Sequence, residues 1–122
     1  MTTRPSVAVV IEDDADIRAL IAAVLDGSGF VVHTATGGLD GIELVRTHTP
    51  AITTLDVSMP GIDGFETARR IRTFSDTRIL MITARADEEH VRLGRESGAD
   101  DYVLKPFRPR ELRARVDGLL AG

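Results

Sequence analysis

The chain has no cysteine, no tryptophan and few aromatic residues of any kind, at 4%. The lack of cysteine excludes disulfides and thiolate metal sites. No apolar run approaches the ~20 residues that a membrane span needs, and the N-terminus lacks the basic-then-apolar pattern of a secretory signal. A cytoplasmic location without a membrane partner is therefore expected. Net charge is -4, with neither a basic stripe nor an aromatic ladder, which argues against nucleic-acid binding through this chain. Lysine is nearly missing as well: of 15 basic residues, only Lys105 is not arginine. Compositional drift explains that count on its own, so Lys105 gains meaning only from its position.

What remains is an ordinary globular composition, 43% hydrophobic and 28% charged over 122 residues. That is one domain, expected over residues 1–122 with about 6–120 structured, and enough chain for a single core. Residues 6–11 form a continuous apolar, β-branched run of the kind buried on both faces of a sheet. Ile17, Leu20, Ile21, Val24 and Leu25 then recur at helical spacing, and Gly27-Ser28-Gly29 stops the helix. Residues 30–35 read as a second strand. A weaker helix over 38–48 has Leu39, Ile42 and Val45 on one side, with Gly41 weakening it.

Pro50 precedes a third strand, 52–56, which ends in Asp56. A turn-rich loop leads to a helix with Phe65, Ala68 and Ile71 inward, and residues 78–83 form a fourth strand. The next helix, 87–97, has only Val91 and Leu93 as large apolar residues and is a candidate moving part. A fifth strand, 101–105, ends at Pro106. Pro109 suits the first turn of a last helix that buries Leu112, Val116, Leu119 and Leu120. Strand and helix alternate five times with connections too long for hairpins. An α/β fold follows, with a parallel sheet, right-handed crossovers and helices on both faces.

In such a sheet ligands bind outside the carboxyl ends of the strands. Those ends deliver Glu12, Asp13 and Asp14 from the first strand, Asp56 from the third, Thr83 from the fourth and Lys105 from the fifth. If the first and third strands are neighbours, their acids face one another and repel, and a hard divalent cation is the usual remedy. Mg²⁺ prefers oxygen ligands and takes only one or two carboxylates, and the backbone carbonyl of Ser58 is a further candidate ligand. A carboxylate can also act as nucleophile and form an aspartyl-phosphate, with Mg²⁺ and a lysine neutralising charge. Thr83 offers a hydroxyl to a phosphoryl oxygen, and Ala84 leaves room for a small phosphodonor. Taken singly each residue has a plainer reading: a helix-cap acid, a turn former, a solvated lysine, a strand threonine. Their joint placement on one edge favours the site.

Four stretches carry a resemblance. They are Glu12-Asp13-Asp14, Leu55-Asp56 with Met59-Pro60-Gly61-Ile62-Asp63-Gly64, Ile82-Thr83-Ala84, and residues 98–107 (GADDYVLKPF). In this order and spacing the sequence resembles the receiver domain of two-component response regulators over essentially its whole length. The resemblance implies a flavodoxin-like (βα)5 fold with strand order 2-1-3-4-5. It also implies phosphorylation of Asp56 by a sensor histidine kinase, with Mg²⁺ or Mn²⁺, in a signalling module that is not a turnover enzyme. Asp13 would ligate the metal directly and Glu12 through water; part of the family instead points to Asp13 and Asp14. Lys105 would bind the phosphoryl group, Thr83 and Tyr102 would form the switch pair, and the Lys105-Pro106 peptide would be cis.

Other classes fit less well. A flavin-binding flavodoxin would need a phosphate-cradling loop where this chain has acids. A haloacid-dehalogenase-type phosphatase would need a second aspartate where Ser58 stands. A phosphorylation-independent pseudo-receiver is the alternative reading, although such domains usually lack some of these residues.

The Gly98-Ala99-Asp100-Asp101-Tyr102 wording resembles receivers of winged-helix transcription regulators. Any effector domain is then expected outside this chain. Phosphorylation would alter the face built from the fourth helix, fifth strand and fifth helix, and homodimers would pair there across a two-fold axis. Glu96, Asp101, Glu111 and Arg115 fit that scheme, whereas Val91 and Asp117 stand where basic partners are usual. The stretch between Asp56 and Thr83 is also a few residues shorter than usual, trimmed near 73–77.

Overall fold

The computed structural model describes residues 6–121; both ends of the domain expected over 1–122 lie outside the described residues. Five strands, β1 (Val7–Ile11), β2 (Val31–Ala35), β3 (Ile52–Asp56), β4 (Arg78–Thr83) and β5 (Asp101–Leu104), alternate with five helices. The helices are α1 (Ala15–Gly27), α2 (Gly38–His48), α3 (Gly64–Arg72), α4 (Glu88–Ser97) and α5 (Pro109–Ala121). All neighbouring strands run parallel, in the order β2-β1-β3-β4-β5. The chain order reverses beside β1, so the carboxyl ends of β1 and β3 flank the crevice of the sheet.

Side chains alternate across the sheet and build two apolar layers. Val9, Ile11, Leu55, Ile79 and Met81 meet Ile42 and Val45 of α2 and Ala68 and Ile71 of α3. On the other face Ala8, Val10, Ile52, Leu80 and Ile82 meet Ile21 and Leu25 of α1 and Leu112 and Val116 of α5. Burial on both faces is why β1 and β4 read as nearly continuous apolar runs.

Three expected inward leucines face outward instead. Leu20, Leu39 and Leu120 are 38%, 61% and 39% exposed. Burying a leucine stabilises by roughly 1.5–3 kcal/mol, so α2 is held by Ile42 and Val45 and gains little from Leu39. Gly41 also has a use that helix propensity hides. A Cβ there would run into the Ile11 side chain, so its absence lets α2 lie close against β1. The fifth strand ends one residue early, at Leu104. Lys105 still donates its amide to the Thr83 carbonyl at 2.7 Å, but Pro106 has no N–H with which to continue the ladder. Helix α4 buries only Gly94 and Ser97, so its ends carry it: Asp87 caps its first turn and Gly98, at φ 108, closes its last. Residues 73–77 connect α3 to β4 and are tied down by Arg72, which donates to the carbonyls of Ser75, Thr77 and Gly98.

Among the described residues one buried hydroxyl is left over. Thr54 sits between Val10 and Leu80 in the layer facing α1 and α5, and its Oγ1 makes no hydrogen bond. Removing an unsatisfied buried polar group relieves its desolvation penalty. Thr54→Val is expected to raise stability by about 1 kcal/mol, read as a higher urea midpoint at unchanged slope; a lower midpoint would show that the hydroxyl is satisfied.

Candidate functional site

Backbone pairing carries the site residues one step past the strand ends. Ile11 pairs with Leu55, and the Glu12 amide extends the ladder to the Ala35 carbonyl at 3.0 Å. Glu12 therefore arrives beside Asp56, while β4 holds the backbone of Lys105 on the far side. Glu12, Asp13 and Asp56 each offer a carboxylate oxygen, and the three oxygens lie within 4.8 Å of one another. Glu12 and Asp56 are 1% and 3% exposed, whereas Asp13 is open to solvent. Lys105 Nζ stands 3.2 Å from Glu12 Oε1 and 3.3 Å from Asp56 Oδ1, one ammonium against two buried acids.

The loop after β3 folds back over this cluster. The Ser58 amide donates to Asp56 Oδ1 at 3.3 Å, and the Gly64 amide donates to the Val57 carbonyl at 2.9 Å. A Cβ on Gly64 would come within 2.5 Å of the Asp56 carbonyl oxygen, so only glycine lets the start of α3 approach so closely. Asp63 caps that helix by accepting from the Glu66 amide at 2.8 Å.

Burial first, and then the neighbouring Asp56 carboxylate, push the Glu12 carboxyl up to about 7. Desolvation would raise Asp13 too, but hydrogen bonding with Asp56 and Glu12 holds it below its ordinary value. Burial opposes the charge of Lys105, and the attraction of Asp56 and Glu12 overrides it, so that its pKa lies above the usual lysine value.

The donor set suits a hard divalent cation: it is all oxygen, carboxylate-rich and part buried. Glu12 Oε1 strengthens the fit, since it lies against Lys105 without hydrogen-bond geometry and has no other partner. The acidic group can thus hold a metal ion.

The remaining site residues fall into place around it. Asp14 is spent on α1, its carboxylate accepting from the amides of Asp16 and Ile17 at 2.9 and 3.0 Å, and it stands apart from the three-acid group. Thr83 forms a closed turn with Arg85, its hydroxyl donating to the Arg85 carbonyl and accepting from the Arg85 amide, both at 3.1 Å. Ala84 is exposed. Tyr102 is half-buried opposite Met81, and a small cavity lined by Thr83, His90, Gly94 and Tyr102 opens between α4 and β5. The Lys105-Pro106 peptide is cis.

On the outer face Asp101 pairs with Arg115 at 3.2 Å and Glu96 with Arg92 at 3.0 Å, both within the chain. Glu111 is exposed. Arg18 carries no signal in the sequence, being one arginine among many on a helix. Yet its guanidinium donates to the carbonyls of Glu12 and Asp13 at 3.1 and 3.4 Å.

Comparison with known proteins agrees with this arrangement. A family model described as the response regulator receiver domain matches residues 8–117. The transcriptional regulatory protein AfsQ1 of Streptomyces coelicolor is 47% identical over 112 residues, covering 92% of this chain and 50% of that protein. The DNA-binding response regulator MtrA of Mycobacterium tuberculosis is 42% identical over 108 residues, 88% of this chain and 47% of that protein. The chain thus spans about half the length of these regulators.

Among solved structures, chemotaxis protein CheY4 of Vibrio cholerae superposes with TM-score 0.92 at 27% identity, covering 96% of this chain and all (100%) of that one. A response regulator of Chloroflexus aurantiacus, itself described as putative, gives TM-score 0.90 at 34% identity, with 98% and 100% covered. A doubly wound sheet of order 2-1-3-4-5, an acid triad at its carboxyl edge and a profile match over nearly the whole chain converge: the chain belongs to the response regulator receiver domain family.

Proposed function

We propose that Asp56 is the phosphoacceptor of this receiver domain and that its donor is the phosphohistidine of a cognate sensor kinase. The observation that carries this reading is the meeting of Glu12, Asp13 and Asp56 within 4.8 Å, with Lys105 against two of them. An Asp56 carboxylate oxygen attacks phosphorus, an O–P bond forms, and the P–N bond breaks with its electron pair returning to the imidazole of the donor. Lys105 is placed to follow the phosphoryl oxygens as negative charge moves onto Asp56. The Thr83 hydroxyl can serve the same group only by leaving its turn with Arg85.

Asp13 and Asp56 would hold Mg²⁺ or Mn²⁺ directly, joined by the Ser58 carbonyl, with Glu12 acting through water. Such an ion would neutralise the non-bridging oxygens. Asp14 is left out of this set because it caps α1. Water attack on the acyl phosphate would restore the aspartate and release inorganic phosphate.

Release of Thr83 frees Tyr102 to enter the space beside it, and the face of α4, β5 and α5 changes with it. The output is taken to be transcription, through homodimers that use this face in a cytoplasmic regulator of which this chain is one part. Pairing across a two-fold axis would require Asp101 and Glu96 to exchange their partners within the chain for ones on the second copy, while Glu111 stands ready. The test is incubation with acetyl phosphate, a small phosphodonor, with Mg²⁺ or with chelator. Intact mass should rise by one phosphoryl group only with Mg²⁺, and size-exclusion chromatography should then show a dimer. Labelling undiminished by chelator would remove the metal from the mechanism.

A further inference from the structure

We infer that Arg18 is a positioning residue for the metal-binding acids, setting cation affinity through the backbone of the loop rather than by touching the ion. The inference rests on the metal reading above. Arg18 is the fourth residue of α1, at the end of the turn where the helix dipole disfavours positive charge. No carboxylate lies within ion-pair distance of it among the described residues. Instead one guanidinium nitrogen donates to both the Glu12 and the Asp13 carbonyl, at 3.1 and 3.4 Å. Those carbonyls belong to the two acids that β1 delivers to the cluster.

The loop joining β1 to α1 is only residues 12–14, and each has a tie. The Glu12 amide is held by Ala35, and the Asp14 carboxylate by the first turn of α1. Asp13 lies between them with an exposed side chain, and the hydrogen bond that its carbonyl receives from Arg18 comes from outside the loop. Fixing that peptide orients the Asp13 carboxylate towards Asp56 before a cation arrives. Partners that orient metal ligands are commonly worth about 10- to 100-fold in affinity.

Mn²⁺ binding followed by electron paramagnetic resonance, and Mg²⁺ binding by calorimetry, test this on the unphosphorylated protein. Arg18→Ala should weaken both ions about tenfold. Arg18→Lys, which can still donate to one carbonyl, should recover part of that loss. Ala19→Gly is the control, because it weakens the same helix by about 1 kcal/mol at an exposed position without touching the loop. Wild-type affinity in Arg18→Ala, or an equal loss in Ala19→Gly, would overturn the inference. Failure of the unaltered protein to bind either cation would instead remove the metal reading beneath it.

Discussion

Asp56→Asn should gain no phosphoryl group from acetyl phosphate under conditions in which the unaltered chain is labelled, as read by intact mass. The amide keeps the shape of the side chain and loses the nucleophilic oxygen, so the loss should be complete rather than partial. The variant should also stay folded. Above pH 7, where Glu12 is ionised, Asp56 is buried with it and the two acids face a single ammonium, so removing one negative charge relieves repulsion. Thermal unfolding in chelator should therefore occur at or above the unaltered temperature. Unchanged labelling in Asp56→Asn would sink the phosphoacceptor assignment, and retained stability rules out misfolding as the cause of a loss.

The second large effect is on stability against pH. Glu12 has a pKa raised from 4.5 to about 7, chiefly by burial and then by Asp56, so between those values the folded chain keeps a proton that the unfolded chain releases. Its stabilising contribution is fully present below 4.5 and is lost as pH rises through 7, on the order of 3 kcal/mol in chelator. Asp13 and Asp87 have lowered values and change stability below this window, and Lys105 acts above it. His33 opposes the trend: burial and the stacked ring of His48 lower its pKa below 6.5, so its contribution grows as pH rises.

The readout is consequently the difference between the unaltered chain and Glu12→Gln, followed by chemical denaturation. The glutamine variant should show a flatter profile over this range. Mg²⁺ at alkaline pH should return the lost stability by binding the folded state alone. Identical pH profiles for the two proteins would show that Glu12 is not the group responsible.

Much of this was legible in residue order because the relevant signals are local. Apolar strand runs, helix-stop glycines and the acids at strand ends read correctly, and the four family stretches brought the strand order with them. The three misread leucines share one cause. Helical spacing identifies a stripe but not its width, so Leu20, Leu39 and Leu120 were assigned inward when shorter stripes on α1, α2 and α5 suffice. Gly41 reads as a weak helix residue until Ile11 is seen beneath it. The Thr83 hydroxyl reads as free until its turn with Arg85 is visible.

By itself the sequence determined the element order, the strand ends on which acids, hydroxyl and lysine would lie, and the family. The end of the apolar run at Ile11 already favoured the pair Glu12 and Asp13, and the tertiary structure fixed where the first three acids point. Glu12 points inward because a ladder bond to Ala35 fixes its backbone, and Asp14 turns away because the start of α1 needs a cap. It also decided that Lys105 bridges Glu12 and Asp56, and that Arg18 donates to the carbonyls of Glu12 and Asp13. These are contacts between strands and helices distant in sequence, set by register and packing, and no local periodicity encodes them.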